Sequence, residues 1–263
     1  DRKMIKHLEL NIDVKGAKLE PDKKTNDFQE QAKLRSVSVS ADGKHIAIGC
    51  KEGTVRIVDY DKWKQIKVIK RRKEWIEDLK YSPNGQYLAV GSHDNIIDIY
   101  DVSNNYTWKL KMHKHSSFIT HIDWSVDSAF LHSNCGAYEL LFWNAESGQQ
   151  ITSGASALRD EEWSTWSCVL GWPVQGIFLP EMDGSDINMV DRSHAAIRDG
   201  YKILAAADDF GKIRVYSYPC LKKGSKSIVL QGHSSHVTNV KFNASDTYLY
   251  SAGGEDQTIM QWK

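Results

Sequence analysis

The chain has 263 residues, 41% of them hydrophobic and 26% charged, with Lys+Arg 34 set against Asp+Glu 34. That balance leaves no global field to draw it to nucleic acid or to an anionic membrane. No apolar run approaches the roughly 18 residues that a membrane-spanning helix needs, and the length suits one large all-β domain or two smaller domains.

Residues 1–33 hold one alternating strand, Leu8, Leu10, Ile12 and Val14, followed by a polar stretch with Pro21. From residue 34 the chain repeats itself. SVSVSADGKHIAIGCKEGTVRIVD at 36–59 lines up with DLKYSPNGQYLAVGSHDNIIDIYD at 78–101, and both line up with HIDWSVDSAFLHSNCGAYELLFWN at 121–144. These units end at Asp59, Asp101 and Asn144, which lie 42 and 43 residues apart. A fourth unit ends at Ser217, and a fifth closes the chain 46 residues later with GHSSHVTNVKFNASDTYLYSAGGEDQTIMQW at 232–262. A period of about 40–45 residues is the blade length of a WD-repeat propeller.

Within each unit the alternation is that of strands, as in Tyr87, Leu88, Ala89 and Val90 followed by Ile97 and Ile99. Asp42-Gly43 and Asn84-Gly85 stand between strands, and such dipeptides favour the positive-φ geometry of tight hairpins. The predicted fold is an all-β WD-repeat β-propeller with five clear blades plus an irregular or partial blade. Its domains are 1–33, an outer strand and polar linker, and 34–263, the propeller.

Two regions break the period. The last blade stops at its third strand, with Trp262-Lys263, and the strand at 8–14 has two readings: it closes the ring there, or it is the outer strand of a blade begun upstream of Asp1. The second is preferred, because five blades are few where about four to eight is usual, and the chain is expected to be a fragment. The other break is the insert at 145–184, with Trp163, Trp166 and Trp172 and the acidic run Asp160-Glu161-Glu162. It reads either as a degenerate extra blade or as a long loop decorating one face, where insertions often carry binding.

His233, Ser251 and Asp256 invite a nucleophile-triad reading. Their positions, with Trp262, are instead those of the hydrogen-bonded tetrad of a WD unit, and residues that recur with the period are architecture. The third blade keeps His115, Ser133 and Trp143 but has Ala137 where Asp is expected; the second has Asp94, with Arg72 in place of His. No unrepeated nucleophile–base pair or metal set emerges, so no enzyme, cofactor or metal is expected. Asp183, Asp186 and Asp191 lack the spacing of a calcium loop. Asp209-Phe210-Gly211 matches a kinase tripeptide only by letter and reads as a hairpin turn. Cys50, Cys135, Cys168 and Cys220 form no C-x-x-C pair and read as free thiols in a reducing cytosol.

Two groups are candidates for partner binding. The basic run containing Lys70, Arg71, Arg72 and Lys73 reads as a charged outer strand that resists edge pairing, or as a patch for an acidic partner surface. Propellers also bind partners on the face where the first strands begin. The aligned units put Lys33, Trp75, Phe118, Asp186 and His236 there, with exposed aromatics as anchors.

GSHDN at 91–95, HSSFITHIDWS at 115–125, DGSDIN at 183–188, DDFGK at 208–212, YSYPC at 216–220, GHSSHVTNV at 232–240 and IMQW at 259–262 carry a more specific likeness. Together they resemble the echinoderm microtubule-associated protein-like family, and within it the second, C-terminal propeller of the tandem-propeller domain. The likeness covers most of 34–263, including the insert, and is poor over 1–33. It implies a non-enzymatic cytoplasmic and cytoskeletal scaffold whose partners are tubulin or microtubules and other cytoskeletal proteins. In that family a coiled coil and basic segment attach to microtubules, and these 263 residues contain no heptad run and no long basic tail. The alternative is a generic WD-repeat adaptor, a ubiquitin-ligase or signalling scaffold without tubulin contact.

Overall fold

The computed structural model describes residues 33–183, 185–196 and 200–263. The strand expected at 8–14 and the linker after it lie outside the described residues. Five antiparallel sheets follow one another along the chain. Blade 1 is β1 (Leu34–Val39), β2 (His45–Cys50), β3 (Thr54–Asp59) and β4 (Lys64–Lys70); blade 2 is β5 (Ile76–Tyr81), β6 (Tyr87–Ser92), β7 (Ile97–Asp101) and β8 (Thr107–Met112). Blade 3 has β9 (Ile119–Trp124), β10 (Phe130–Cys135) and β11 (Leu140–Asn144). Blade 4 has β12 (Ile187–Arg192), β13 (Ile203–Asp208), β14 (Lys212–Ser217) and β15 (Ile228–Gln231), and blade 5 has β16 (Val237–Phe242), β17 (Leu249–Gly253) and β18 (Ile259–Trp262). The fold is an all-β propeller, and the described residues form the five clear blades that the repeats mark out.

The same local chemistry builds each first hairpin. Ser40, Ser82 and Ser125 each place Oγ 2.6–2.7 Å from the carboxylate or amide oxygen two residues on, Asp42, Asn84 and Asp127. Each hydroxyl also accepts the amide that starts the next strand, at 2.9 Å from His45, Tyr87 and Phe130. The turn residue after the acid or amide sits at positive φ: Gly43 at 71°, Gly85 at 73° and, in blade 3, Ser128 at 65°. Glycine adopts that conformation without steric cost.

Stacking of neighbouring sheets makes the core. One apolar cluster lies between blades 1 and 2, around Ile57, Leu79 and Tyr100. A second lies between blades 2 and 3, around Ile99, Ile122 and Trp143, and a third between blades 4 and 5, around Ile213, Val237 and Val240. Inner strands are joined by buried carboxylates. Asp78 on β5 accepts the Ile122 amide of β9 at 2.8 Å, and Asp191 on β12 accepts the Phe242 amide of β16 at 2.8 Å.

Asp123 on β9 stands in the same role, and its partner is the insert: it accepts the Trp166 amide at 2.5 Å and the Thr165 hydroxyl at 2.8 Å. The insert runs on between β9 and β12. Ser164 N–H donates to Trp124 O (2.8 Å), and Arg192 donates from its amide to Thr165 O (3.2 Å) and from Nη2 to Trp163 O (2.6 Å). Trp163 stacks on buried His132 with ring centres 3.8 Å apart, and Trp166 meets that ring edge-on. Both indoles belong to the cluster that fills the junction of blades 3 and 4. A short helix α1 (Gly154–Ala157) and a 3-10 turn (Trp172–Ile177) complete the described secondary structure there. The insert is therefore a wedge that replaces an inner strand and has no sheet of its own. The reading as a loop decorating one face is corrected, because Trp163 and Trp166 are 2% and 4% exposed.

Candidate functional site

Each blade enters its first strand through a residue whose carbonyl is tied to the end of the second strand. Lys51 N–H donates to Lys33 O (2.8 Å), His93 to Trp75 (2.8 Å), Gly136 to Phe118 (2.9 Å), Asp209 to Asp186 (3.0 Å) and Gly254 to His236 (2.9 Å). The five aligned positions are thus one structural position, repeated around the mouth of the ring. A cavity of about 710 Å³ opens there, lined from all five blades by residues that include Arg35, Glu77, Phe118, His121, Asn188 and His236.

Trp75 and Phe118 come together across two blades through His93. The Trp75 and His93 ring centres are 5.0 Å apart, and those of His93 and Phe118 are 4.6 Å apart. Lys51 Nζ lies 4.3 Å from the Trp75 ring centre and the Arg35 guanidinium 5.1 Å from it. Glu77 holds the row from below, accepting from Arg35 and lying 2.9 Å from His93 Nε2. Phe118 is seated on Gly136, where a Cβ would stand 2.5 Å from its ring. The outcome is a cation–aromatic–aromatic–aromatic row with Trp75 37% and Phe118 39% exposed. Asp186 and His236 are half-buried at the mouth on blades 4 and 5. Asp186 caps its own turn by accepting the Asp183 amide at 2.9 Å, and His236 packs on Gly254. Lys51 and His93 escaped the sequence reading. They occupy the residue after the second strand, so aligning that position in the repeats would have found them.

The blade 5 residues form a closed chain. His233 Nδ1 is 2.9 Å from Asp256 Oδ2, His233 Nε2 is 2.7 Å from Ser251 Oγ, and Trp262 Nε1–H donates to Ser251 Oγ at 2.8 Å. Blade 3 repeats it with His115, Ser133 and Trp143 at 2.7 and 2.8 Å. Glu139 supplies the carboxylate that Ala137 lacks, 3.2 Å from His115 Nδ1, and it also accepts the Ser116 amide at 2.9 Å. Burial works against the Asp256 charge, but the Thr258 amide and His233 hold its carboxyl down at about 2. The Ser116 amide and the Cys135 thiol hold Glu139 at about 2, and burial lowers His115 from its ordinary value. His115, Cys135 and Glu139 are the one described set whose possible metal-ligand atoms all lie within 4.8 Å of one another. Its hydrogen bonds are those of the blade 5 chain, with Cys135 Sγ added 3.1 Å from Glu139. The four cysteines are free and buried.

The basic run divides. Lys70 and Lys73 are exposed. Arg71 lies 4.1 Å from the ring centre of Trp108 and 3.5 Å from Asp98. Arg72 turns inward, donating from Nε and Nη2 to the two oxygens of fully buried Asp98 at 2.6 and 2.7 Å and from Nη1 to Asp94 at 3.3 Å. Its guanidinium is spent inside blade 2, which takes Arg72 out of the surface patch. Burial opposes its charge, and Asp98 and Asp94 outweigh that, raising its pKa.

Comparison with known proteins agrees with this architecture. Residues 14–263 match the family described as "Echinoderm microtubule-associated protein second beta-propeller". Echinoderm microtubule-associated protein-like 1 of Homo sapiens is 45% identical over 224 residues, 84% of this chain and 27% of the relative. Echinoderm microtubule-associated protein-like 2 of Homo sapiens is 43% identical over 232 residues, 87% of this chain and 35% of the relative. Echinoderm microtubule-associated protein-like 3 of Mus musculus is 39% identical over 237 residues, 88% of this chain and 26% of the relative. The chain spans about a quarter to a third of the length of these relatives. It belongs to the echinoderm microtubule-associated protein family, as that family's second β-propeller.

Proposed function

We propose that this propeller is a non-enzymatic scaffold of a cytoplasmic, cytoskeletal protein, presenting its mouth to tubulin or to microtubule-associated partners. The observation that carries this reading is the Lys51–Trp75–His93–Phe118 row beside the cavity. Aromatic side chains that are half exposed yet held by their neighbours lose little entropy on binding, which suits them as anchors. The relatives' names, all microtubule-associated, supply the partner class. No helix among the described residues is long and apolar enough to cross a membrane. A scaffold role for His233, Ser251, Asp256 and Trp262 is supported by their recurrence in blade 3, where the Ser133 hydroxyl is likewise committed to a His and a Trp.

Co-sedimentation with microtubules and pull-down of soluble tubulin, each at low and at physiological salt, test the reading. The wild-type chain is retained by at least one of them, and Trp75→Ala with Phe118→Ala weakens retention roughly tenfold or more. If neither form is retained at low salt, the alternative of an adaptor without tubulin contact takes its place. That alternative draws on the chain's covering only 27% of a relative such as the human like-1 protein, so that microtubule attachment belongs to other segments.

A further inference from the structure

We infer that the outer rim of blades 1 and 2 is a docking surface for an acidic, extended peptide, separate from the mouth of the ring. Residues 62–73, KWKQIKVIKRRK, contain seven cations and no acid, and 107–114, TWKLKMHK, contain three lysines and no acid. In a chain with equal numbers of both charges this is a local concentration. It falls on the outermost strands of two adjacent blades, β4 and β8.

The two rims form one surface. Lys67 Nζ donates to the Asn105 carbonyl in the turn before β8, and Arg71 covers Trp108 of β8 at 4.1 Å. Trp108 Nε1–H donates to Asp98 Oδ1 at 2.9 Å, which fixes the indole at the seam while leaving it 42% exposed. With Arg72 turned inward, the outward charges are Lys64, Lys70, Lys73, Lys111 and Lys114. All five are exposed, and none has a carboxylate within 4.0 Å among the described residues. Ile66, 47% exposed, lies among them on β4.

Lysines on an outer strand also guard against edge pairing, and blade 4 meets the same need with a short strand. Its outer strand β15 carries no charge and exposes Ile228 and Val229, and it is only four residues long. Edge protection accounts for charges within a strand, whereas Lys73 and Lys114 lie beyond the ends of β4 and β8. Five unpaired ammonium groups flanking Trp108 and Ile66 match a ligand that alternates carboxylates with apolar side chains. The sequence-independent part of such binding is electrostatic and falls with salt. An extended segment fits better than a folded acidic surface, because among the described residues the seven-residue β4 offers an unpaired backbone edge beside the charges.

The test uses the whole chain and a fluorescein-labelled oligoglutamate peptide interrupted by tyrosine, read by anisotropy at low and physiological salt. The wild type binds at low salt and loses affinity as salt rises. Lys64→Glu, Lys70→Glu and Lys111→Glu together weaken binding roughly tenfold or more, because each reversal replaces an attraction with a repulsion. Trp75→Ala with Phe118→Ala leaves it unchanged, so failure here is distinguishable from failure at the mouth. A near-ultraviolet circular dichroism spectrum like the wild type's shows that the reversal variant is folded. No binding at low salt, or binding that the reversals leave intact, overturns the inference. Tighter, reversal-sensitive binding of a single-stranded oligothymidine overturns it in favour of a nucleic acid.

Discussion

Blades 2 and 5 solve one structural problem in two ways. The residue that precedes each blade's first strand by a few positions must be tied to the sheet it enters. In blade 5 a hydrogen-bonded chain built around a hydroxyl does this, from the Asp256 carboxylate through His233 and Ser251 to Trp262. In blade 2 the entering residue is Arg72, and a guanidinium brings a full charge into a place that a hydroxyl cannot neutralise. The answer is Asp98, fully buried on β7, gripped bidentately by Arg72 and also bonded by Trp108 of the outer strand. Ser92, the counterpart of Ser251, is left to the backbone, donating to Glu74 O at 3.3 Å and accepting the Asp94 amide at 3.4 Å. The position is fixed by the fold, whereas its chemistry is free, provided that every buried polar group finds a partner.

The largest way to break this comparison is to remove one half of the ion pair. Arg72→Ala removes the bidentate partner of the buried Asp98 carboxylate and leaves it only the half-exposed Arg71 at 3.5 Å and the Trp108 N–H; the expected cost is at the lower end of about 3–5 kcal/mol, seen as a lower urea midpoint at unchanged slope. Replacing both partners, Arg72→Met with Asp98→Leu, is expected to regain most of that loss. A double variant as unstable as the single one would mean that the pair is worth more than its desolvation.

Ser251→Ala in blade 5 comes next. It strands His233 Nε2 and Trp262 Nε1, and its expected cost is about 1–3 kcal/mol. The low end is favoured, because Trp262 is only half-buried. A cost above that of Arg72→Ala would reverse the ranking of the guanidinium-centred node over the hydroxyl-centred one.

The periodic parts of the molecule were legible in the sequence because period, turn chemistry and strand alternation all report the backbone. Ser40, Ser82 and Ser125 stand at the same offset and make the same turn. The mouth positions followed from the same alignment. What sequence could not give was which side chains at equivalent places meet. Trp75 reaches Phe118 only through His93, a contact between blades that no local pattern encodes. The insert was opaque for a related reason: Trp163 and Trp166 carry no strand signature, and their place is set by Asp123 and His132, more than thirty residues away. Glu139 was missed because its longer side chain does the work of an Asp from four residues before Trp143, where blade 5 has Thr258. Arg72 was seen at the His position, but the sequence also counted it in a surface patch, since charge alone does not say which way a side chain turns.

The smallest effect distinguishes the nodes by acid. Glu139 is held at about 2 against an ordinary 4.5, and Asp256 at about 2 against 3.8. For a depressed carboxyl the unfolded chain takes up its proton first as pH falls. Each contribution is therefore complete above the ordinary value and is lost as pH drops through the window down to about 2. His115, lowered by burial, acts with the same sign: the unfolded chain binds its proton first, so stability begins to fall below 6.5. Blade 3 should thus loosen along two successive windows. Glu139→Gln removes the lower one, because an amide has no proton to gain there. Melting temperatures of the wild type and the variant, measured from pH 5 to pH 2, are expected to converge as the wild-type carboxylate is neutralised. A gap that stays constant over that range would mean that the Glu139 charge contributes nothing to the node, and that its geometry alone does.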